Sequence, residues 1–277
     1  MVLFHDGDEM LTDYDRVVPL LRRELPETAS IVAFALPGTA WSPDAPSLAS
    51  LWELCAVNGY ADGVCNALPS VAQRLGVADS ADWALLGRGL GAAPAVHLAF
   101  SRPTLFALLV LEGAAIDLQA LPAVRRAAHT FDGGTKLRRR CADPCATHAK
   151  LAGVRCPVLI LQGEDDAHSP AEMARAAEIA CRGGSAGSVD LEMYADAGHA
   201  DLLRGERCAE CARDIAVALR RATSKNVPAV DASELRALGV GELKKCISAA
   251  GGNPGACLTK DDLVETLRAS LSLTRMP

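Results

Sequence analysis

Short apolar runs of four to seven residues alternate, over the first 220 positions, with longer stretches whose apolar residues recur every three or four positions. The runs at 2–5, 31–35, 83–86, 105–111, 157–161 and 189–194 predict strands. The stretches at 13–24, 63–75, 170–181 and 204–221 predict helices, and one more helix opens at the glycine-rich turn after residue 86. Strand–helix–strand alternation of this kind predicts a parallel sheet with helices on both faces. The run Leu105-Phe106-Ala107-Leu108-Leu109-Val110-Leu111 is apolar throughout, which suits a strand buried on both sides.

Two segments break the alternation. From Ala120 onward the stretch 112–152 carries Arg125, Arg126, Lys136, Arg138, Arg139, Arg140 and Lys150 against only Asp132 and Asp143. Such a basic insertion is either a solvated loop or a docking patch for an acidic partner or a phosphorylated ligand. The second break is a Ser-, Lys-, Asn- and Pro-containing linker at 222–231. Beyond it the pattern predicts short helices at 232–238, 240–249 and 260–271, within a small helical unit over 232–273. Gly251 and Gly252 offer a stop for the second helix, and Thr259 with Asp262 forms the pattern of a capping box for the third. A piece of this size buries little by itself, so packing against the main domain or a partner is expected.

Composition narrows the function classes. The chain has 277 residues, of which 50% are hydrophobic and 22% charged, as in a folded globular protein. Aromatic residues make up only 4%, too few for base-stacking platforms, and the net charge of −6 argues against nucleic acid as a partner. The near-balanced charges beyond residue 231, six basic against five acidic, give no support for it either. No apolar run reaches the roughly 18 residues of a membrane span, and the N-terminus lacks the basic region of a signal peptide. Ten cysteines are too dilute for a disulfide scaffold in a chain this long; Cys55, Cys156 and Cys181 read as small core residues. The expectation is a soluble protein of a reducing compartment, the cytoplasm or an organelle interior.

Chemistry concentrates at three strand ends, where doubly wound sheets place their sites. A strand runs into the turn Gly87-Arg88-Gly89-Leu90-Gly91; another ends Gln162-Gly163-Glu164-Asp165-Asp166; the last leads to Asp196-Ala197-Gly198-His199. In this order and spacing residues 1–221 resemble the α/β-hydrolase family, whose elbow turn, acid and histidine follow one another along the chain. Leu36-Pro37-Gly38 resembles a further loop of that family, and 112–152 sits where its members insert a cap. The resemblance implies an α/β fold of about six largely parallel strands with helices on both faces, a short cap and a small all-α appendage. The first strand would correspond to the family's third.

The elbow departs from the family pattern. G-x-S-x-G becomes Gly87-Arg88-Gly89-Leu90-Gly91, and Gly89 has no side chain with which to form an acyl-enzyme. By the resemblance Asp166 would orient His199 as general base, with no hydroxyl to deprotonate. Backbone N–H groups near Gly7 and at Leu90 would form the oxyanion hole. Asp6, Asp8 and Glu9 crowd that turn, and each carboxylate pointing inward at about 5 Å would oppose a developing anion by on the order of 3 kcal/mol. His168 lies beside the acid and reads as a surface-loop residue.

The remaining motifs add partners more than chemistry. Cys141, Cys145 and His148 in the cap, with Cys208 and Cys211 in the last core helix, have ligand types suited to zinc, but their spacing favours packing, and no metal or cofactor is expected. Residues 240–264 resemble the SAP-like helical fold of the neurotrophic ARMET family, with Pro254 where that family has the first Cys of Cys-x-x-Cys and only Cys257 retained. The expected function is that of a degenerate hydrolase acting in binding or assembly through the basic cap and the C-terminal helices. Two alternatives stand beside it. One is an ester or thioester hydrolase whose serine was lost by engineering, or whose water is activated directly by His199 and Asp166. The other is a receptor using the old pocket for a small acyl ligand.

Overall fold

The computed structural model describes residues 1–6, 9, 11–26, 29–34, 57–77, 82–118, 120–122, 145–224, 239–249, 259–264 and 266. The chain divides into two compact units, Met1–Ala218 and Leu219–Pro277. In the first, six strands among the described residues form one sheet: β1 (Val2–Phe4), β2 (Val32–Phe34), β3 (Trp83–Arg88), β4 (Phe106–Glu112), β5 (Val158–Gly163) and β6 (Val189–Tyr194). Their spatial order is β2-β1-β3-β4-β5-β6, and every neighbouring pair is parallel. The described helices are α1 (Val17–Glu24), α2 (Val57–Leu75), α3 (Ala92–Ser101), α4 (Thr147–Leu151), α5 (Ala171–Arg182), α6 (Cys208–Ser224) and α7 (Val240–Ala249).

Side chains alternate between the faces of a strand, so Val2, Phe4, Leu85, Leu109, Leu111, Val158 and Ile160 share one face. They join a core cluster with Ala61, Val64 and Leu68 of α2, the alanine-rich face of α3, and Met173, Ala174 and Ala177 of α5. Leu3, Leu86, Val110, Leu159 and Leu161 lie on the opposite face and are buried too, as are Val17 and Leu21 of α1 and Ile215 of α6. Two covered faces explain why β4 and β5 read as unbroken apolar runs.

Several predicted bounds shift. β3 continues two residues beyond Leu86, because Gly87 and Arg88 pair with Leu111 and Glu112 of β4. α2 begins at Val57, ahead of the predicted 63, and carries Pro69 inside it. α6 starts at Cys208, not 204: Gly205 N donates to Leu202 O and Arg207 N to Asp201 O, so backbone turns occupy the intervening residues. The loop Leu36-Pro37-Gly38, the predicted helix at 232–238, Gly251, Gly252 and Cys55 lie outside the described residues. So do Arg125, Arg126, Lys136, Arg138, Arg139 and Arg140 of the basic segment.

In the second unit α7 has the predicted bounds, with Leu243 and Ile247 buried. Thr259 N donates to Asp262 Oδ2 at 2.8 Å and Asp262 N to Thr259 Oγ1 at 3.1 Å, the reciprocal bonds of a capping box. Among the described residues no helix is long and apolar enough to cross a membrane.

Candidate functional site

The elbow follows from close backbone packing. β3 ends at Arg88 and turns through Gly89–Gly91 into α3. Gly89 has φ +49°, the left-handed conformation that glycine adopts freely. Gly91 sits so near β1 that a Cβ would stand 2.4 Å from Phe4 O. At Gly89 the obstacle is a side chain: a Cβ would lie 2.0 Å from Asp6 Cγ and 2.1–2.2 Å from its two oxygens. The Asp6 carboxylate therefore fills the volume that an elbow side chain would occupy.

Asp6 stands just past β1 and points inward. Leu90 N donates to its Oδ1 at 2.8 Å, and His199 Nε2 lies 2.7 Å from its Oδ2. Its own N–H donates to Glu9 Oε2 at 3.0 Å, which holds the turn. On the other side of the imidazole, His199 Nδ1 is 2.7 Å from Asp166 Oδ2. Asp166 is fixed in turn by the N–H groups of His168 and Ser169, each donating to Oδ1 at 2.8 Å. Backbone bonds join the acid loop to the histidine loop: Glu164 N to Tyr194 O and Asp165 N to Ala197 O, both 3.0 Å. The ring of the exposed His168 lies 5.1 Å from that of His199, tilted by 40°.

Both ring nitrogens of His199 face carboxylate oxygens, and only an imidazolium donates from both. Burial opposes that charge, but the bonds to Asp166 and Asp6 and their negative charges outweigh it and push His199 up to about 10. At neutral pH the ring is protonated in this arrangement and holds no lone pair for general-base work.

Beneath this chain lies a second ionic layer that sequence reasoning missed. Arg88, buried at the end of β3, pairs with Glu9, places Nε 2.7 Å from Glu112 Oε2, and donates from Nη2 to His199 O at 2.5 Å. Glu9 also accepts from Tyr14 Oη at 2.6 Å and Arg204 Nη1 at 2.7 Å. Full burial pushes the Glu112 carboxyl up, and the Arg88 guanidinium works against that shift. One signal was available: Arg88 and Glu112 are charges closing otherwise apolar runs.

The structure thus brings Gly89, Leu90, Asp166 and His199 together, while Gly7 and Asp8 lie outside the described residues. The expected conflict at the oxyanion hole takes another form. Asp6 does point inward, yet it uses the Leu90 N–H as a donor to itself. Glu9 points at arginines instead. His168 is exposed as expected, but it contacts the His199 ring. Of the thiols considered with zinc, Cys141 is not described, while Cys145, Cys208 and Cys211 are buried and in no disulfide. Among the described residues no cluster of three or more His, Cys, Asp or Glu side chains could hold a metal ion.

Similarity to solved structures decides the architecture. A metagenome-derived lipolytic enzyme superposes with TM-score 0.57 at 15% identity, over 78% of this chain and 91% of its own. The fold is that of the α/β-hydrolases. An esterase from Pyrococcus furiosus gives TM-score 0.53 at 15% identity, over 79% of this chain and 81% of its own. A lipase-esterase related protein from Clostridium acetobutylicum gives 0.52 at 15%, over 77% and 92%. No protein-family model and no curated protein matches the sequence.

Proposed function

We propose that this chain is a degenerate α/β-hydrolase-fold protein that performs no elbow-nucleophile catalysis and works as a binding or assembly component. One observation carries the reading: the Asp6 carboxylate stands where the nucleophile's side chain would be, bonded to both Leu90 N–H and His199 Nε2. The two groups that an acyl-transfer site would aim at substrate, the Leu90 N–H and His199 Nε2, are both aimed at Asp6. The glycine at 89 also reads as the partner of Asp6 and not as an isolated loss, since a serine there would collide with that carboxylate. This counts against an engineered substitution. The surfaces for partners are the basic segment containing Arg125, Arg126, Lys136, Arg138, Arg139 and Arg140, and the C-terminal helices, read as a SAP-like appendage.

A hydrolytic second reading draws on the Asp166–His199 bond at 2.7 Å, which an ester or thioester hydrolase would need. It requires Asp6 to withdraw and His199 to lose its proton. Hydrolysis of short-chain p-nitrophenyl esters separates the two, assayed for the chain as it stands, for Gly89→Ser and for Gly89→Ser with Asp6→Ala. The non-catalytic reading expects no turnover from the first two. Turnover by the unaltered chain that disappears with His199→Ala overturns it.

A further inference from the structure

Asp6 is bound like a ligand. Leu90 N–H donates to its Oδ1 at 2.8 Å and the His199 ring faces its Oδ2 at 2.7 Å, so this pair of donors matches the two-pronged shape of a carboxylate. The donors are fixed independently of Asp6. Leu90 belongs to the backbone turn between β3 and α3, and His199 is held by Asp166 from behind and by Arg88 through its carbonyl. The space is also independent of Asp6, because Gly89 leaves open the volume that any side chain would close.

From this geometry we infer that the turn Gly89–Leu90 and His199 form a carboxylate-binding cradle, with Asp6 as its built-in occupant and a carboxylate-bearing small molecule as its exchangeable one. The inference deepens the binding reading above and rests on it: the ligand class is a small organic acid, and entry requires Asp6 to leave. A tethered occupant competes at an effective concentration of the order of millimolar or higher, so the unaltered chain resists displacement by a ligand that offers nothing beyond its carboxylate. Asp6 thereby sets a threshold, passed only by acids that make further contacts.

The test empties the cradle and supplies the missing group from solution. Asp6→Ala is titrated with sodium formate, with formamide as the neutral isostere and sodium chloride at matched ionic strength. Binding is read from the His199 ring resonances and from the unfolding temperature. The expected result is saturable formate binding by Asp6→Ala, no response to formamide or chloride, and binding at least about 100-fold weaker by the unaltered chain. Equal responses of the variant and the unaltered chain overturn the inference, as does an Asp6→Ala protein that is folded and indifferent to formate. If Asp6→Ala is unfolded without additive, refolding by formate alone supports the cradle, and failure to refold in all three solutions counts against it. The readout is binding, so ester turnover by the unaltered chain would sink the non-catalytic reading without producing either formate result.

Discussion

Leu90 N donates to Asp6 Oδ1 at 2.8 Å although 84 positions separate them in the chain. The donor is the amide that follows the elbow position, and the acceptor is a side chain just past the neighbouring strand β1. In the non-catalytic reading proposed above, an N–H expected to face a transient anion is taken by a carboxylate of the chain itself. The complementarity of Asp6 and Gly89 leads to the first prediction. Gly89→Ala adds a methyl 2.0 Å from Asp6 Cγ on a backbone at φ +49°. A stability loss of about 2–4 kcal/mol is expected from overpacking and left-handed strain together. Combined with Asp6→Ala, the double variant should lose about 1–2 kcal/mol less than the two single losses added, as urea unfolding would measure.

His199 makes stability depend on pH in one direction. Its folded pKa of about 10 lies above the ordinary 6.5, so the folded protein holds a proton that the unfolded chain releases between those values. The contribution is fully present below pH 6.5, declines as pH rises, and is gone above about 10. Its size is on the order of 5 kcal/mol. Asp6→Asn should flatten this decline. An amide at position 6 donates to the bare Nε2 of a neutral ring while Nδ1–H stays on Asp166, so the charged form loses its advantage. Denaturant midpoints across pH 6.5–10 for both proteins, with the His199 titration followed by NMR, check the sign and the window.

Arg88→Met leaves Glu112 buried without its cation. A loss of about 3–5 kcal/mol is expected, the usual outcome of breaking one side of a buried pair. Replacing both, Arg88→Met with Glu112→Leu, should cost less than Arg88→Met alone, because no orphaned charge remains. Thermal unfolding of the three proteins tests the order.

Burial sets thiol reactivity. It pushes Cys156 and Cys211 up to about 12 and Cys181 and Cys208 up to about 11, the negative charge of Glu112 adding to the shift at Cys208. Cys246 is exposed. Brief alkylation at pH 8, mapped by mass spectrometry, should label Cys246 and leave those four unmodified. Prompt labelling of Cys211 or Cys156 in the native protein would contradict the packing described.

The sheet was legible because its strands advertise themselves. β4 and β5 are apolar on both sides of the pleat, and β6 has the bounds its pattern gives. The meeting of Asp166 and His199 was legible as well, since each follows a strand in the order that the resemblance implies. The direction of Asp6 was not. Nothing in His5-Asp6-Gly7-Asp8-Glu9 distinguishes a carboxylate aimed at solvent from one aimed at an elbow on another strand. Arg88 was hidden for the opposite reason: its position inside the elbow motif reads as a variable one, whereas the structure gives it two carboxylates and a carbonyl 111 residues away. Charge pairing across strands is settled by sheet order, which local pattern does not contain.

The sequence separations within the cradle carry a kinetic consequence. Its bonds join residues 33, 84 and 193 positions apart, from the end of β1 to the loop after β6. Closing loops of that length comes late in assembly, after the shorter-range contacts that offset their entropy. No intermediate lacking either β1 or the turn after β6 can hold Asp6 against His199. The protonated ring between its two carboxylates accordingly marks the joining of the first strand's end to the loop after the last, and is absent from any form that lacks either.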